Sequence, residues 1–247
     1  MKGESAYTLI AGNGSESEIT AALSSLEADT ERQGSAHCFT VLEIASRLDR
    51  SGAALACAIG PTAPEGSVPA AEDGTTLALE AGYAVFRGAA LCGFLDTDAA
   101  LGADLLLGFA PQASYVLSDG DGGTVTVQLH TAKASLSPVR DEEGAALQIA
   151  VRVRAEVTES SGADTADAEV LARLEDELSR AVTAQIEAAV EASKALDADF
   201  LELRRVLPEV KGEGALASLR TTVQTESVLE RSYDIYGSVH GEERSHG

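Results

Sequence analysis

The stretch Ala146-Leu147-Gln148-Ile149-Ala150-Val151-Arg152-Val153-Arg154-Ala155-Glu156-Val157 alternates apolar and polar side chains almost without a break. A strand turns successive side chains to opposite faces. Leu147, Ile149, Val151, Val153 and Ala155 therefore make a dry face, and Gln148, Arg152, Arg154 and Glu156 a wet one. Just upstream, Thr124 to His130 repeats the pattern, with Val125, Val127 and Leu129 set against Thr126 and Gln128, and it continues through Ala132 to Leu136. Asp119-Gly120-Asp121-Gly122-Gly123 and Asp141-Glu142-Glu143-Gly144 have the composition of hairpin turns. A mainly antiparallel sheet follows, with one face needing cover.

The cover comes next in the chain. From Asp164 to Asp197 there is neither Gly nor Pro, and Val170, Leu171, Leu174, Leu178, Val182, Ile186, Ala189 and Val190 recur close to the helical period. The stripe departs from strict heptads and is rich in Ala, which favours packing on the chain's own sheet over a coiled coil. A last β segment is expected over Ser218 to Tyr236. Before the sheet, Thr76 to Glu80, Tyr83 to Phe86, Leu91 to Leu95 and Ser114 to Leu117 read as strands, and Thr97 to Leu107 as a short helix.

Farther out, Tyr7 to Ala11 reads as a strand, Gly12 to Ser15 as a turn and Ser17 to Ala28 as a helix. A second helix is expected over Phe39 to Arg50, with Val41, Leu42, Ala45 and Leu48 on one apolar face and Gly52 as its stop, then a strand over Ala54 to Ile59. Pro61, Pro64 and Pro69 fall in a stretch without apolar period. The expected organisation is α+β: a small α/β domain over residues 1–60, a linker over 61–75, a larger domain over 76–240 whose mainly antiparallel sheet is packed by one long amphipathic helix, and a frayed tail over 241–247.

Charge and composition narrow the function. Forty acids against 18 bases leave a formal charge of -22 spread along the chain. That field repels phosphate backbones and anionic lipid head groups, so no nucleic-acid partner is expected, and membrane contact would need an anchor or a protein partner. Met1 is followed by no apolar leader, and no stretch approaches the length of a membrane span. Cys38, Cys57 and Cys92, widely spaced among apolar neighbours, fit reduced core thiols.

Candidate chemistry fails on its own residues. Gly12-Asn13-Gly14-Ser15-Glu16-Ser17 lies between a strand and a helix, but Glu16 and Glu18 sit where a pyrophosphate needs positive potential. Asp119 and Asp121 open like a calcium loop, yet Gly123 and Thr124 occupy the next ligand and glycine positions and His130 stands where a bidentate Glu is required. His37, His130, His240 and His246 share no metal-ligand spacing. No nucleophile elbow or phosphate loop is present, and without Trp there is little to stack sugars or bases. No catalytic, metal-binding or cofactor-binding residue is assigned, no cofactor is expected, and the expectation is a protein that is not an enzyme.

One pair of segments carries a resemblance. Gly82-Tyr83-Ala84-Val85-Phe86-Arg87 and Leu91-Cys92-Gly93-Phe94-Leu95-Asp96 resemble the opening of the C-terminal domain of the Ger(x)C spore germination family, with Phe94 where the family usually has Trp. The physical content is a β-hairpin in which Ala84, Phe86, Leu91 and Phe94 supply core packing, with a helix capped by Asp96 or Thr97 to follow. The order that follows is also similar: a helix, alternating strands, a long helix, an exit at Asp199-Phe200-Leu201 and a final strand. Residues 1–60 resemble part of the family's middle domain. The family positions are Gly82, Ala84, Val85, Phe86, Leu91, Gly93, Phe94, Leu95, Asp96 and Asp199, all structural.

The resemblance implies the C subunit of a germinant receptor, a lipoprotein on the outer face of the spore inner membrane that acts with A and B subunits in nutrient-triggered germination. The signal peptide, lipid-bearing cysteine and first domain that it implies are not in this sequence. A scaffold or interaction role is the leading expectation. The alternative is an extracytoplasmic small-molecule binding module, with a nutrient germinant held in a pocket between the two domains.

Overall fold

The structure is a computed structural model, and it describes residues 9–11, 37, 39–60, 79–109, 113–120, 122–141, 144–212 and 214–231. The alternating stretches form the strands expected of them. Strands β5 (Ser114–Ser118), β6 (Thr124–Asp141), β7 (Gly144–Ser161) and β8 (Arg220–Arg231) make one sheet in that order. The β5–β6 and β6–β7 pairs are antiparallel, and β7–β8 is parallel. In β6 the inward positions change from Val125, Val127 and Leu129 to Ala132, Ala134 and Leu136. A bulge between Leu129 and Thr131 inserts His130 and so exchanges odd for even positions.

Helix α3 (Ala168–Ala195) is the long one, numbered after α1 (Val41–Ser51) and α2 (Thr97–Leu107). Its 28 residues span about 42 Å at roughly 1.5 Å per residue. Asp167 caps it by accepting from Glu169 N at 2.7 Å. Val170, Leu174, Leu178, Val182, Ile186, Ala189 and Val190 are all buried, with the helix set against β8 and β5 on one side and α2 on another. Burying such side chains contributes about 1.5–3 kcal/mol each before entropy is charged, so the stripe is the main reason the sheet stays covered.

A second sheet, ordered β1 (Leu9–Ala11), β2 (Ala53–Gly60), β3 (Leu79–Arg87) and β4 (Ala90–Leu95), stands beside the first. Its β1–β2 pair is parallel, and the others are antiparallel. The expected helix over Ser17 to Ala28, the glycine loop before it, Cys38 and the stretch 61–75 lie outside the described residues. The strands flanking that stretch, β2 and β3, are hydrogen-bonded neighbours, so the expected division at 61–75 falls between two paired strands of a single sheet. The buried apolar residues of both sheets, including Leu55, Tyr83 and Val85 from the first and Val127, Ile149 and Val153 from the second, belong to one continuous core.

Helix α1 differs from its expected orientation. Thr40 and Glu43 close a capping box at its start, and Gly52, at φ 74°, ends it in the left-handed region. Three of the four residues expected to be buried are outside: Val41, Leu42 and Ala45 are exposed, Leu42 by 79 %, and Leu48 alone of the four turns inward. The inner face is Ile44, Arg47, Leu48 and Ser51, which has helical spacing but includes an arginine. Cys57 is buried in β2, whereas Cys92 is only half-buried on β4, so the expectation of a core thiol there is corrected. The Asp119 turn is a polar hairpin, with Asp119 Oδ1 accepting from Gly123 N at 2.8 Å.

Candidate functional site

The Gly82–Asp96 segment folds as the expected hairpin, β3 and β4, and leads into α2. Gly82 has φ 87°, and a Cβ there would overlap the Leu95 carbonyl oxygen, so both conformation and space require glycine. Asp96 is the N-cap of α2 and accepts from Ala99 N at 2.9 Å. Tyr83, Val85 and Leu95 fill the core. Ala84 is buried, and Phe86 half-buried, on the opposite face of the sheet.

Leu91 and Phe94 correct the expected packing. They are 47 % and 53 % exposed rather than buried. Phe94 pairs with Ala84 and Leu91 with Phe86, while a register shift after Val85 breaks the alternation. This second face is closed over β2 and β3, where Ala54, Ala56 and Ala84 are fully buried, and open over β4. The hairpin therefore presents Phe86, Leu91 and Phe94 as an apolar strip on a strand that ends the sheet order. Gly93, on the other face, lets Leu196 approach: a Cβ there would lie 2.9 Å from Leu196 Cδ2.

The exit from α3 gathers the remaining charged residues. Asp199 Oδ1 accepts from Leu203 N at 2.7 Å and Oδ2 from Arg204 N at 3.1 Å, starting helix α4 (Leu203–Val206). Burial pushes the Asp199 carboxyl above its ordinary range, and the two backbone N–H groups oppose that shift. Asp197, at φ 45°, accepts from Arg87 at 3.0 Å, Arg204 at 3.4 Å and Gly214 N at 3.0 Å. It ties the end of β3 to the α3 exit. Sequence reading singled out Asp199 and missed Asp197, whose role depends on partners 110 and 17 residues away.

Beside this exit, α1, α2, β6 and the 201–206 segment border a cavity of about 350 Å³ that is open to solvent on the side of Arg50 and Arg205. Its charged lining is Arg47, Arg50, Arg205 and Glu202, and its apolar wall is Leu106, Leu107, Leu136, Leu201 and Val206. Glu202 Oε1 takes Arg47 at 3.4 Å and Arg50 at 3.2 Å, and its Oε2 takes Arg205 at 3.4 Å. The Arg47 side chain is only 10 % exposed. Its guanidinium lies 5.1 Å from the Phe39 ring centre and 5.5 Å from that of Phe109, a cation–π arrangement. Burial lowers the Arg47 pKa, and the Glu202 charge counteracts it. A buried cation on a helix face with only Ile44 and Leu48 as apolar members leaves no mark in a periodicity count, which is why sequence reading did not find it.

The sequence model of the family described as "Spore germination B3/ GerAC like, C-terminal" matches residues 81–211, from the hairpin through the α3 exit. The chain belongs to this family. The GerAC-like chain also shares its fold with the protein of "Crystal Structure of the GerBC protein", with a TM-score of 0.62 at 15% sequence identity. The likeness covers 78% of this chain and 61% of GerBC, so the chain spans about three-fifths of that protein. No curated protein matches the GerAC-like chain in sequence. Among the described residues, no helix is long and apolar enough to cross a membrane.

Proposed function

We propose that the chain is the membrane-proximal part of the C subunit of a spore germinant receptor, with a non-catalytic scaffold or interaction role beside the A and B subunits. In this reading it sits at the outer face of the spore inner membrane, held by a lipid anchor beyond this sequence. Membership of the GerAC-like family and the shared GerBC fold support the receptor assignment. The observation that supports an interaction role is the strip of Phe86, Leu91 and Phe94 on β4 and its neighbour, inside the family-matched segment. Large side chains exposed on an end strand are unfavourable in water and become favourable once a partner covers them.

Leu91→Asp with Phe94→Asp tests this in the full-length subunit. Both side chains are exposed, so the purified variant should melt with the parent. Co-purification with the other receptor subunits should fall at least about tenfold, the loss expected when two apolar anchors are replaced by charges. Spores carrying the variant should germinate slowly in nutrient. Retained co-purification removes the strip as the contact, and deletion spores that germinate at the parental rate in every nutrient remove the receptor role.

A further inference from the structure

Eighteen Lys and Arg serve a chain with 40 acids, yet three arginines converge on one cavity that, among the described residues, is lined by a single carboxylate. All three contacts to Glu202 are long, at 3.2 to 3.4 Å, where charge-assisted pairs close to about 2.7–2.9 Å. One carboxylate cannot satisfy three guanidinium forks. Among the described residues the other acid acting on Arg47 is Glu43, and it is already held by Thr40 N at 2.7 Å, the Thr40 hydroxyl at 2.9 Å and His37 at 3.5 Å. Among the described residues the cavity lining thus keeps two positive charges in excess, and the Arg47 side chain is nearly removed from water.

Glu202 itself occupies the left-handed region at φ 57°, which costs a non-glycine residue on the order of 1–3 kcal/mol. It heads α4 with no side-chain cap bond. The strained residue places its carboxylate among the arginines, and strained residues gather at ligand clamps. Leu106, Leu107, Leu136, Leu201 and Val206 give the rest of the cavity an apolar wall, and its volume lies within the range of small-molecule sites.

We infer that this cavity binds a small carboxylate with an apolar body, its carboxylate taking the place among Arg47, Arg50 and Arg205 that Glu202 fills loosely. Arginine forks match carboxylates in bidentate geometry, and the leucine wall selects against a bare inorganic oxyanion. The inference goes beyond the interaction role. Its failure would leave the receptor assignment standing, and loss of that assignment would leave the cavity intact.

The test is calorimetric titration of the full chain with hexanoate, with hexan-1-ol and inorganic phosphate as comparators. Hexanoate should bind saturably, and the other two should bind at least about tenfold more weakly. Arg50 and Arg205 are half-exposed or more, so the Arg50→Ala/Arg205→Ala variant should fold like the parent and lose at least about tenfold in hexanoate affinity. Glu202→Gln removes the internal competitor and should tighten binding several-fold, a gain that a purely structural carboxylate would not give. No saturable hexanoate binding, phosphate binding ahead of hexanoate, or equal affinity in the double arginine variant would each overturn the assignment.

Discussion

The two sheets solve the same problem with different materials. In the second, long strands alternate, one face is dry, and α3 covers it together with α2 over β6. In the first, short strands carry Ala53, Ala54, Ala56 and Ala84, buried on both faces, and the large side chains Leu91 and Phe94 are left outside. A sheet with one wet face announces its orientation through alternation, whereas a sheet buried on both faces does not. The difference also separates the candidate sites: the first sheet carries the exposed strip, and α1 beside it lends Arg47 and Arg50 to the cavity it shares with α2, β6 and the 201–206 segment.

What joins the two is a helix crossing, and breaking it should have the largest effect. At Gly102 on α2, a Cβ would overlap the Gln185 carbonyl oxygen of α3. Alanine is the better helix former by about 1 kcal/mol, but the overlap is with backbone, which cannot step aside as a side chain can. Gly102→Ala should therefore lower unfolding free energy by about 2–3 kcal/mol in a urea titration. Gly93→Ala meets only the tip of Leu196 and should cost less than about 1 kcal/mol. Stabilisation by Gly102→Ala would mean that propensity outweighs packing and that the two helices are not locked at this point.

How much of this was legible in the sequence follows the same division. Leu147 to Ala155 and Val170 to Val190 identify their buried faces because every second, or every third to fourth, residue is apolar. The α+β class and the long covering helix come directly from them. Helix α1 was assigned the wrong inner face because Arg47 is buried by long-range partners, Glu202 and the rings of Phe39 and Phe109, that no local pattern reveals. Leu91 and Phe94 look like core residues by type, and their exposure depends on a register shift and on which face is covered. The arginine cavity combines residues from near position 50 and near position 205, a juxtaposition only the fold creates.

A second prediction probes the same seam through pH. Tyr115 on β5 donates to Gln185 Oε1 at 2.6 Å, and burial pushes its hydroxyl up to about 12, with the Asp98 charge adding to the shift. Because the folded value lies above the unfolded value of about 10, the neutral hydroxyl's contribution is complete below pH 10 and is lost as pH rises towards 12. The amount at stake is about 2–3 kcal/mol. Tyr115→Phe should be less stable than the parent by about 1 kcal/mol at pH 7, from the lost hydrogen bond. That deficit should shrink and then reverse between pH 10 and 12. A deficit independent of pH would show that this hydroxyl is not desolvated in the fold.

The smallest effect is expected on the wet face of the second sheet, where charge is most visible. Arg152 meets Glu226 at 2.9 Å and Arg154 meets Glu230 at 3.3 Å across the parallel β7–β8 pair. Arg152 is 81 % exposed, so solvent screens the pair and the ordered side chains lose entropy in making it. Arg152→Ala should change unfolding free energy by less than about 0.5 kcal/mol, and added salt should reduce even that. The dry face, with Ile149, Val151 and Val153 against α3, is what holds these strands in register. A loss above about 2 kcal/mol would reverse that ranking and make β8, the parallel strand beside β7, dependent on its ion pairs.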